Sequence, residues 1–152
     1  MQEFHSLGEP DLTLCGLRLW VHGREFPGST DYYDANWLVI TACCQAHGAC
    51  VWVEQEPAVM TEELHRWLCE LEQLLRGTRK HASLDLIEPY LYIEVRIANP
   101  RGVWEVEVSL TPDNVKQEHR FYFEAHEGDL RMTVQQLRTI LKRYPILGKR
   151  PE

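Results

Sequence analysis

The sequence lacks the local motifs by which many enzymes are recognised. It contains no GxSxG segment, no P-loop and no HExxH segment, and hydrolases, nucleotide-binding proteins and zinc proteases of the common types require them. No two of its five cysteines have CxxC spacing, so the usual zinc-binding pattern is missing as well. These absences favour a binding protein over an enzyme, and no metal or cofactor is expected.

Long apolar runs and excess positive charge are also missing. No segment approaches the roughly 20 apolar residues that a bilayer span needs, and the N-terminus does not have the pattern of a secretory signal. We therefore expect a cytoplasmic protein without membrane contact. The formal net charge is −7, which argues against nucleic-acid binding because phosphate backbones require a basic surface. An acidic surface suits a basic partner protein, or it serves only to maintain solubility.

What is present is sufficient for one domain. The chain has 152 residues, of which 44% are apolar, enough to bury a full core. We predict a single domain over residues 1–152 with frayed tails at about 1–9 and 146–152. The odd number of cysteines predicts reduced thiols, which we expect to be buried as small hydrophobic residues.

The first third of the chain predicts strands. Apolar residues alternate from Leu12 to Val21 and change phase once at Cys15-Gly16, which predicts one strand with a bulge. Residues 23–36 have no such period and predict a loop. Two further strands, 37–44 and 49–54, flank His47-Gly48 and predict a hairpin.

Two amphipathic helices follow from the apolar spacing. The first begins with Thr61 as N-cap and ends at Gly77, and the last begins at Thr133, forms a capping box with Gln136, and stops at Pro145. Between them we predict four strands at about 82–87, 90–98, 103–110 and 118–125.

The two middle strands of this group predict their own register. If residues 99–102 form the turn, apolar residues face one another on one side, while Arg96 faces Glu105 and Glu94 faces Glu107 on the other. The element order is then βββ-α-ββββ-α. It predicts an α+β fold: one mostly antiparallel, curved meander sheet of about six to seven strands with two helices packed against it.

The Glu94/Glu107 pair is the sharpest candidate for chemistry. Opposed carboxylates about 5 Å apart at Cβ repel each other, and such a pair can share a proton or bind a metal. Arg96 and Glu105 share this face, so it can equally be a solvated surface on which arginine screens glutamate. The alternative function is therefore a small enzyme or a ligand-binding domain that uses this face or a pocket between sheet and helices.

Two other segments are candidate partner-binding surfaces. In the first, residues 31–37, short polar side chains alternate with aromatics. This segment is either a turn, in which Asp34 and Asn36 bond nearby backbone, or a protein-binding surface in which tyrosine supplies contact area. The second is the helix from Thr61, because residues 54–72 contain six glutamates against one arginine, a net charge of −5; simple solvation is the alternative. The candidate contact residues are Asp31, Tyr32, Tyr33, Asp34, Glu62, Glu63 and Glu70.

Four short segments resemble the bacterial immunity proteins of the WapI type. They are DYYDANWL at 31–38, MTEELHRWL at 60–68, IEPYL at 87–91 and LKRYP at 141–145, and the resemblance covers about residues 12–145. It implies a cytosolic antidote that binds and blocks the toxic C-terminal domain of a wall-associated or other polymorphic toxin. An acidic inhibitor of this kind gains association rate when the toxin domain is basic.

Overall fold

The computed structural model describes residues 7–99 and 102–152. Within these residues the chain forms eight strands and three helices. In chain order they are β1 (Leu12–Leu14), β2 (Leu17–Arg24), α1 (Tyr32–Ala35), β3 (Trp37–Ala46), β4 (Ala49–Met60), α2 (Thr61–Arg76), β5 (His81–Asp85), β6 (Leu91–Asn99), β7 (Val103–Leu110), β8 (Arg120–Ala125) and α3 (Glu127–Arg143). The predicted α+β class and antiparallel pairing are confirmed. Residues 1–6, part of the predicted frayed tail, lie outside the described residues.

The strands form two sheets, so the prediction of one curved sheet of six to seven strands is wrong. The first sheet has the order β1-β2-β3-β4 and the second the order β5-β6-β7-β8. The division falls at α2, which follows β4 directly and packs against both β4 and β5. The sheets meet where β7 contacts β3 and β4, and one hydrophobic cluster joins both sheets with α2 and α3.

The phase change in the first apolar segment is a hairpin turn. Leu14 pairs with Leu17, and Cys15 has a φ of 54°, so Cys15-Gly16 forms a two-residue turn between β1 and β2. The predicted bulge is wrong because a two-residue turn shifts the apolar alternation in the same way as an extra residue. Only glycine fits the turn as built, since a Cβ at Gly16 would lie 2.2 Å from the carbonyl oxygen of Gln45.

The β3–β4 hairpin predicted around His47-Gly48 is confirmed. Both turn residues are left-handed, with φ values of 49° and 84°, which matches the twist of a two-residue hairpin. Both strands run further than predicted, β3 to Ala46 and β4 to Met60. The longer β4 stays paired with β3 only through two register shifts.

The first long helix, α2, begins one residue earlier than predicted. Its N-cap is Met60 rather than Thr61, because the buried carboxylate of Glu63 caps the helix start by accepting the N–H of Met60 at 2.8 Å. The helix ends as predicted at Gly77, whose φ of 79° is left-handed. Its apolar stripe packs into the core as predicted.

The last helix, α3, begins at Glu127, well before the predicted start. Thr133 and Gln136 form no capping box and instead contact the edge strand β1. The hydroxyl of Thr133 donates to the carbonyl of Thr13 at 2.7 Å, and Gln136 Oε1 accepts the N–H of Thr13 at 2.8 Å. Thr133 and Gln136 match the pattern of a helix start, but their side chains instead bond the backbone of an edge strand.

The predicted register of β6 and β7 is confirmed. Arg96 lies opposite Glu105, and Glu94 lies opposite Glu107. The middle of the predicted turn, residues 100–101, lies outside the described residues. The second sheet therefore presents the predicted charged face.

Candidate functional site

The candidate residues from Asp31 to Asp34 lie at the short helix α1 (Tyr32–Ala35), whose N-cap is Asp31. The carboxylate of Asp31 caps it by accepting the N–H groups of Tyr33 at 3.0 Å and Asp34 at 3.1 Å. Tyr32 is buried, whereas Asp31, Tyr33 and Asp34 are exposed. Both interpretations of this segment thus have a structural basis: Asp31 shapes the turn, and Tyr33 and Asp34 are available to a partner.

Asn36 connects α1 to two distant parts of the chain. Its buried amide donates to the carbonyls of Tyr32 at 2.7 Å and Leu147 at 3.0 Å. The amide oxygen accepts the hydroxyl of Thr61 at 3.0 Å and the N–H of Leu147 at 2.9 Å. Sequence reasoning assigned Asn36 only to a local turn, since no local pattern indicates a bond to a residue 111 positions away.

Two arginines also hold the C-terminal tail against α1. Arg24 donates to the carbonyls of Ala35 and Pro145. Arg150 donates to the hydroxyl of Tyr33, and this bond together with nearby Glu62 raises the pKa of Arg150. Part of the segment predicted as a frayed tail therefore carries specific contacts, which the sequence analysis missed.

The acidic residues of α2 bond mainly within the protein. Glu62 accepts the hydroxyl of Tyr32 at 2.6 Å, and this bond with burial raises the pKa of Tyr32 to about 12. Glu70 accepts the N–H of Ser83 at 3.0 Å and lies 3.4 Å from Arg79. The excess negative charge that suggested a partner-binding helix thus has internal partners.

Glu63 is not available to a partner at all, because only 2% of it is exposed. In addition to the N–H of Met60, its carboxylate accepts the N–H of Ile87 at 2.9 Å. Burial raises the pKa of Glu63, and the two backbone hydrogen bonds oppose that rise. Glu63 joins the start of α2 to the segment before β6, and its expected place on a contact surface is corrected accordingly.

Glu94 and Glu107 lie on the exposed face of the second sheet with an arginine among them. Glu94 accepts the hydroxyl of Tyr92 at 2.9 Å and lies 3.6 Å from Arg96, which also bonds Glu105 at 3.2 Å. Among the described residues, no three His, Cys, Asp or Glu side chains are grouped to hold a metal ion. This arrangement is typical of a screened, mixed-charge sheet surface.

Two clefts among the described residues lie away from this face. One of about 300 Å³ lies between α2 and α3 and is lined by Glu72, Arg131 and Arg138 among others. Another, of about 250 Å³, lies between the end of α2 and the strands β6 and β7, near Trp104. The alternative of a small enzyme or ligand-binding domain expects a pocket at such a place between sheet and helix. Neither cleft collects the opposed carboxylates.

The five cysteines are unpaired, and only Cys43 and Cys44 are buried. Burial raises their pKa values to about 11 and about 12. Cys15, Cys50 and Cys69 are exposed, so the expectation of buried thiols is wrong for these three. They lie at a turn, near a hairpin end and on the outer side of α2, where packing does not enclose them.

The fold and its surfaces define a two-sheet α+β protein whose exposed acids and aromatics suit contact with another protein. Within that class, the chain belongs to the WapI-like immunity protein family, whose model matches residues 11–145. The matched range includes every helix and strand that the structure describes, and the resemblance noted in the sequence is confirmed. No curated protein and no solved structure matches the chain. In the described residues, no helix is both long and apolar enough to span a bilayer.

Proposed function

We propose that this protein binds a bacterial toxin domain in the cytosol of the producing cell and neutralises it by direct contact. Membership of an immunity protein family across residues 11–145 is the observation that carries this proposal. A binding protein of this kind needs a complementary surface and no catalytic group of its own.

The surface that best suits a partner consists of Phe26, Asp31, Tyr33, Asp34 and Leu147, and we call it the loop–tail surface. Phe26, Tyr33 and Leu147 are 47%, 40% and 39% exposed, although each is a large apolar side chain. Apolar and aromatic anchors of this kind supply most of the binding energy when a partner covers them.

The loop–tail surface is held in place by buried bonds. Asn36 fixes Leu147 to α1 and to Thr61, and Arg24 fixes the chain at Pro145. An interface already ordered in the free protein avoids part of the entropy cost of binding. The internal contacts of this region therefore favour a defined binding site over a solvated loop.

Charge supports a basic partner. The protein has a net charge of −7, and the exposed Asp34 lies beside the aromatic anchor Tyr33. A basic toxin domain would be attracted at long range, which raises the association rate and makes it fall with added salt. The acids of α2 contribute to this field even though their hydrogen bonds are internal.

We expect a toxin gene beside the gene for this protein, and binding to the C-terminal domain of that toxin tests the proposal. We expect a complex by co-purification and calorimetry, and loss of toxin activity at equimolar immunity protein. Tyr33→Ala should lower affinity about 30-fold, the loss typical of a central aromatic anchor. Asp34→Lys should lower it through the association rate.

The matched control is Glu54→Lys, which makes the same change of net charge at an exposed position on β4. It should reduce affinity less than Asp34→Lys does. Equal losses would assign the effect to overall charge alone and move the interface elsewhere. Failure of the unaltered protein to bind or protect against the toxin would refute the proposed function.

A further inference from the structure

Three of the four sheet edges are closed by side chains or interrupted. On β1, the outward N–H and C=O of Thr13 bond Gln136 and Thr133 of α3. On β5, Glu70 accepts the N–H of Ser83, and Arg79 donates to the carbonyl of His81. The edge strand β4 contains Pro57 and two register shifts. Such features prevent edge strands from pairing with other chains.

The fourth edge, β8, is open around Tyr122, whereas near its end the carbonyl of Glu124 accepts the thiol of Cys15 at 3.8 Å. Leu110 N–H bonds the carbonyl of His119, and hydrogen-bonded pairs alternate along an antiparallel ladder. The backbone of Phe121 and Phe123 therefore faces β7, whereas that of Arg120, Tyr122 and Glu124 faces outward. Within residues 7–99 and 102–152, the N–H and C=O of Tyr122 have no hydrogen-bond partner.

Aromatic side chains flank this open edge on both faces. Tyr122 is 61% exposed, and Phe121 and Phe123 on the opposite face are only partly buried and stack at 6.4 Å. An edge strand with unpaired backbone groups and exposed aromatics can accept another strand. A strand added here would cover all three rings.

The residues of β8 are complementary to themselves. In an antiparallel pair centred on Tyr122, Arg120 of each copy lies opposite Glu124 of the other, and Phe121 lies opposite Phe123. Tyr122 N–H and C=O then meet their counterparts in two reciprocal hydrogen bonds. Few arbitrary five-residue segments place opposite charges and aromatics in register in this way.

The charges within the sheet favour the same pairing. Glu124 lies directly opposite Glu105 on β7, a like-charge pair that costs stability. Arg96 pairs with Glu105 at 3.2 Å, and no ion pair reaches Glu124 within the part of the chain described. Arg120 of a second copy would supply it. Arg120 already bonds the hydroxyl of Tyr122 and lies 3.0 Å from the exposed Glu118, an ion pair that contributes little.

We propose that two copies of this protein pair antiparallel along β8, centred on Tyr122, to join their second sheets into one continuous sheet. This goes beyond the proposed toxin binding and does not depend on it, because none of its residues belongs to the loop–tail surface. The Cys15-Gly16 turn lies beside one end of this edge: the Cys15 thiol lies 3.8 Å from the carbonyl of Glu124, and Gly16 packs close to the ring of Phe123.

Charge reversal gives the sharpest test, with sedimentation equilibrium of the full chain as the readout. The unaltered protein should form a dimer in a concentration-dependent manner. Arg120→Glu and Glu124→Arg should each weaken the dimer about tenfold, because two attractive pairs become repulsive. An equimolar mixture of the two variants should restore it, since each chain then faces opposite charges along the whole edge.

A backbone test separates strand pairing from charge alone. Tyr122→Pro removes the tyrosine ring and an outward N–H, and edge strands tolerate the loss of that N–H, so the circular dichroism spectrum should be retained while the dimer is lost. Tyr122→Thr, which keeps the N–H, is the matched control and should retain most of the dimer.

Three results would overturn the proposal. The first is a monomer at every concentration up to the millimolar range, and the second is a dimer unaffected by either charge reversal and by Tyr122→Pro. The third is a toxin domain whose binding is lost in Tyr122→Pro while the free protein stays monomeric, which would assign the edge to a toxin segment instead.

Discussion

Replacing Asn36 by alanine should destabilise the fold and release the C-terminal tail together. The Asn36 side chain is fully buried and makes four hydrogen bonds, to Tyr32, Thr61 and both backbone groups of Leu147. These bonds link α1, α2 and the tail at one point. Removal of the Asn36 side chain therefore tests whether these three segments form one unit.

The magnitude follows from the partners left behind. The Tyr32 carbonyl and the Thr61 hydroxyl lose a partner in a buried place, at about 1–3 kcal/mol each, whereas the groups of Leu147 can turn to water at a smaller cost. We expect the free energy of unfolding to fall by about 3 kcal/mol. For a chain of this length that corresponds to a drop in melting temperature of roughly 6–12 °C.

Urea denaturation followed by circular dichroism measures the stability, and trypsin cleavage after Arg143 or Lys149 reports release of the tail. Asn114→Ala, at an exposed loop position, is the control and should change stability by less than about 0.5 kcal/mol. If Asn36→Ala loses less than about 1 kcal/mol, or leaves the tail as resistant as before, the assignment of Asn36 as the joint is wrong.

Two further predictions concern stability. Gly16→Ala should cost about 2–3 kcal/mol, because its Cβ would lie 2.2 Å from the Gln45 carbonyl oxygen and 2.8 Å from the ring of Phe123. Gly128→Ala, in open space near the start of α3, should be neutral or stabilising, and equal effects in thermal melts would contradict the close packing. Glu63→Gln tests the buried carboxylate: burial raises its pKa in the folded state, so its contribution to stability is greatest when it is protonated. Unfolding free energy of the unaltered protein should therefore fall relative to Glu63→Gln as the pH rises from about 4 to about 7, and a difference independent of pH would exclude this linkage.

Sequence patterns predicted local pairing well. The register of β6 and β7 follows from the sequence because the apolar face and the charged face both require the same alignment of Glu94 with Glu107. The β3–β4 hairpin follows from its turn. In each case the two partners are close in the chain, so a short turn fixes which residues meet.

The errors involve partners that are far apart in the chain. Thr133 and Gln136 read as a helix start, yet they bond Thr13 more than 100 residues away. Glu63 and Glu70 read as surface charge because their partners, the N–H groups of Ile87 and Ser83, belong to segments whose position depends on the whole fold. The division into two sheets was missed for the same reason. The sequence predicts the helix α2, but it does not predict that the strands before and after α2 belong to separate sheets.

The internal bonds of the acidic residues on α2 change where a partner is expected to bind. The sequence concentrates negative charge in residues 54–72, which extend into α2, but Glu62, Glu63 and Glu70 bond a tyrosine and two backbone segments, and Glu63 is buried. A substitution at any of these three residues disturbs the fold. A loss of toxin binding after charge reversal on α2 therefore does not show whether a direct contact or the fold was lost. Asp34 avoids this ambiguity because its side chain is exposed, and for Tyr33, which also bonds Arg150, release of the tail is measured as well. Substitutions there, with stability measured alongside affinity, separate the interface from the structure that supports it.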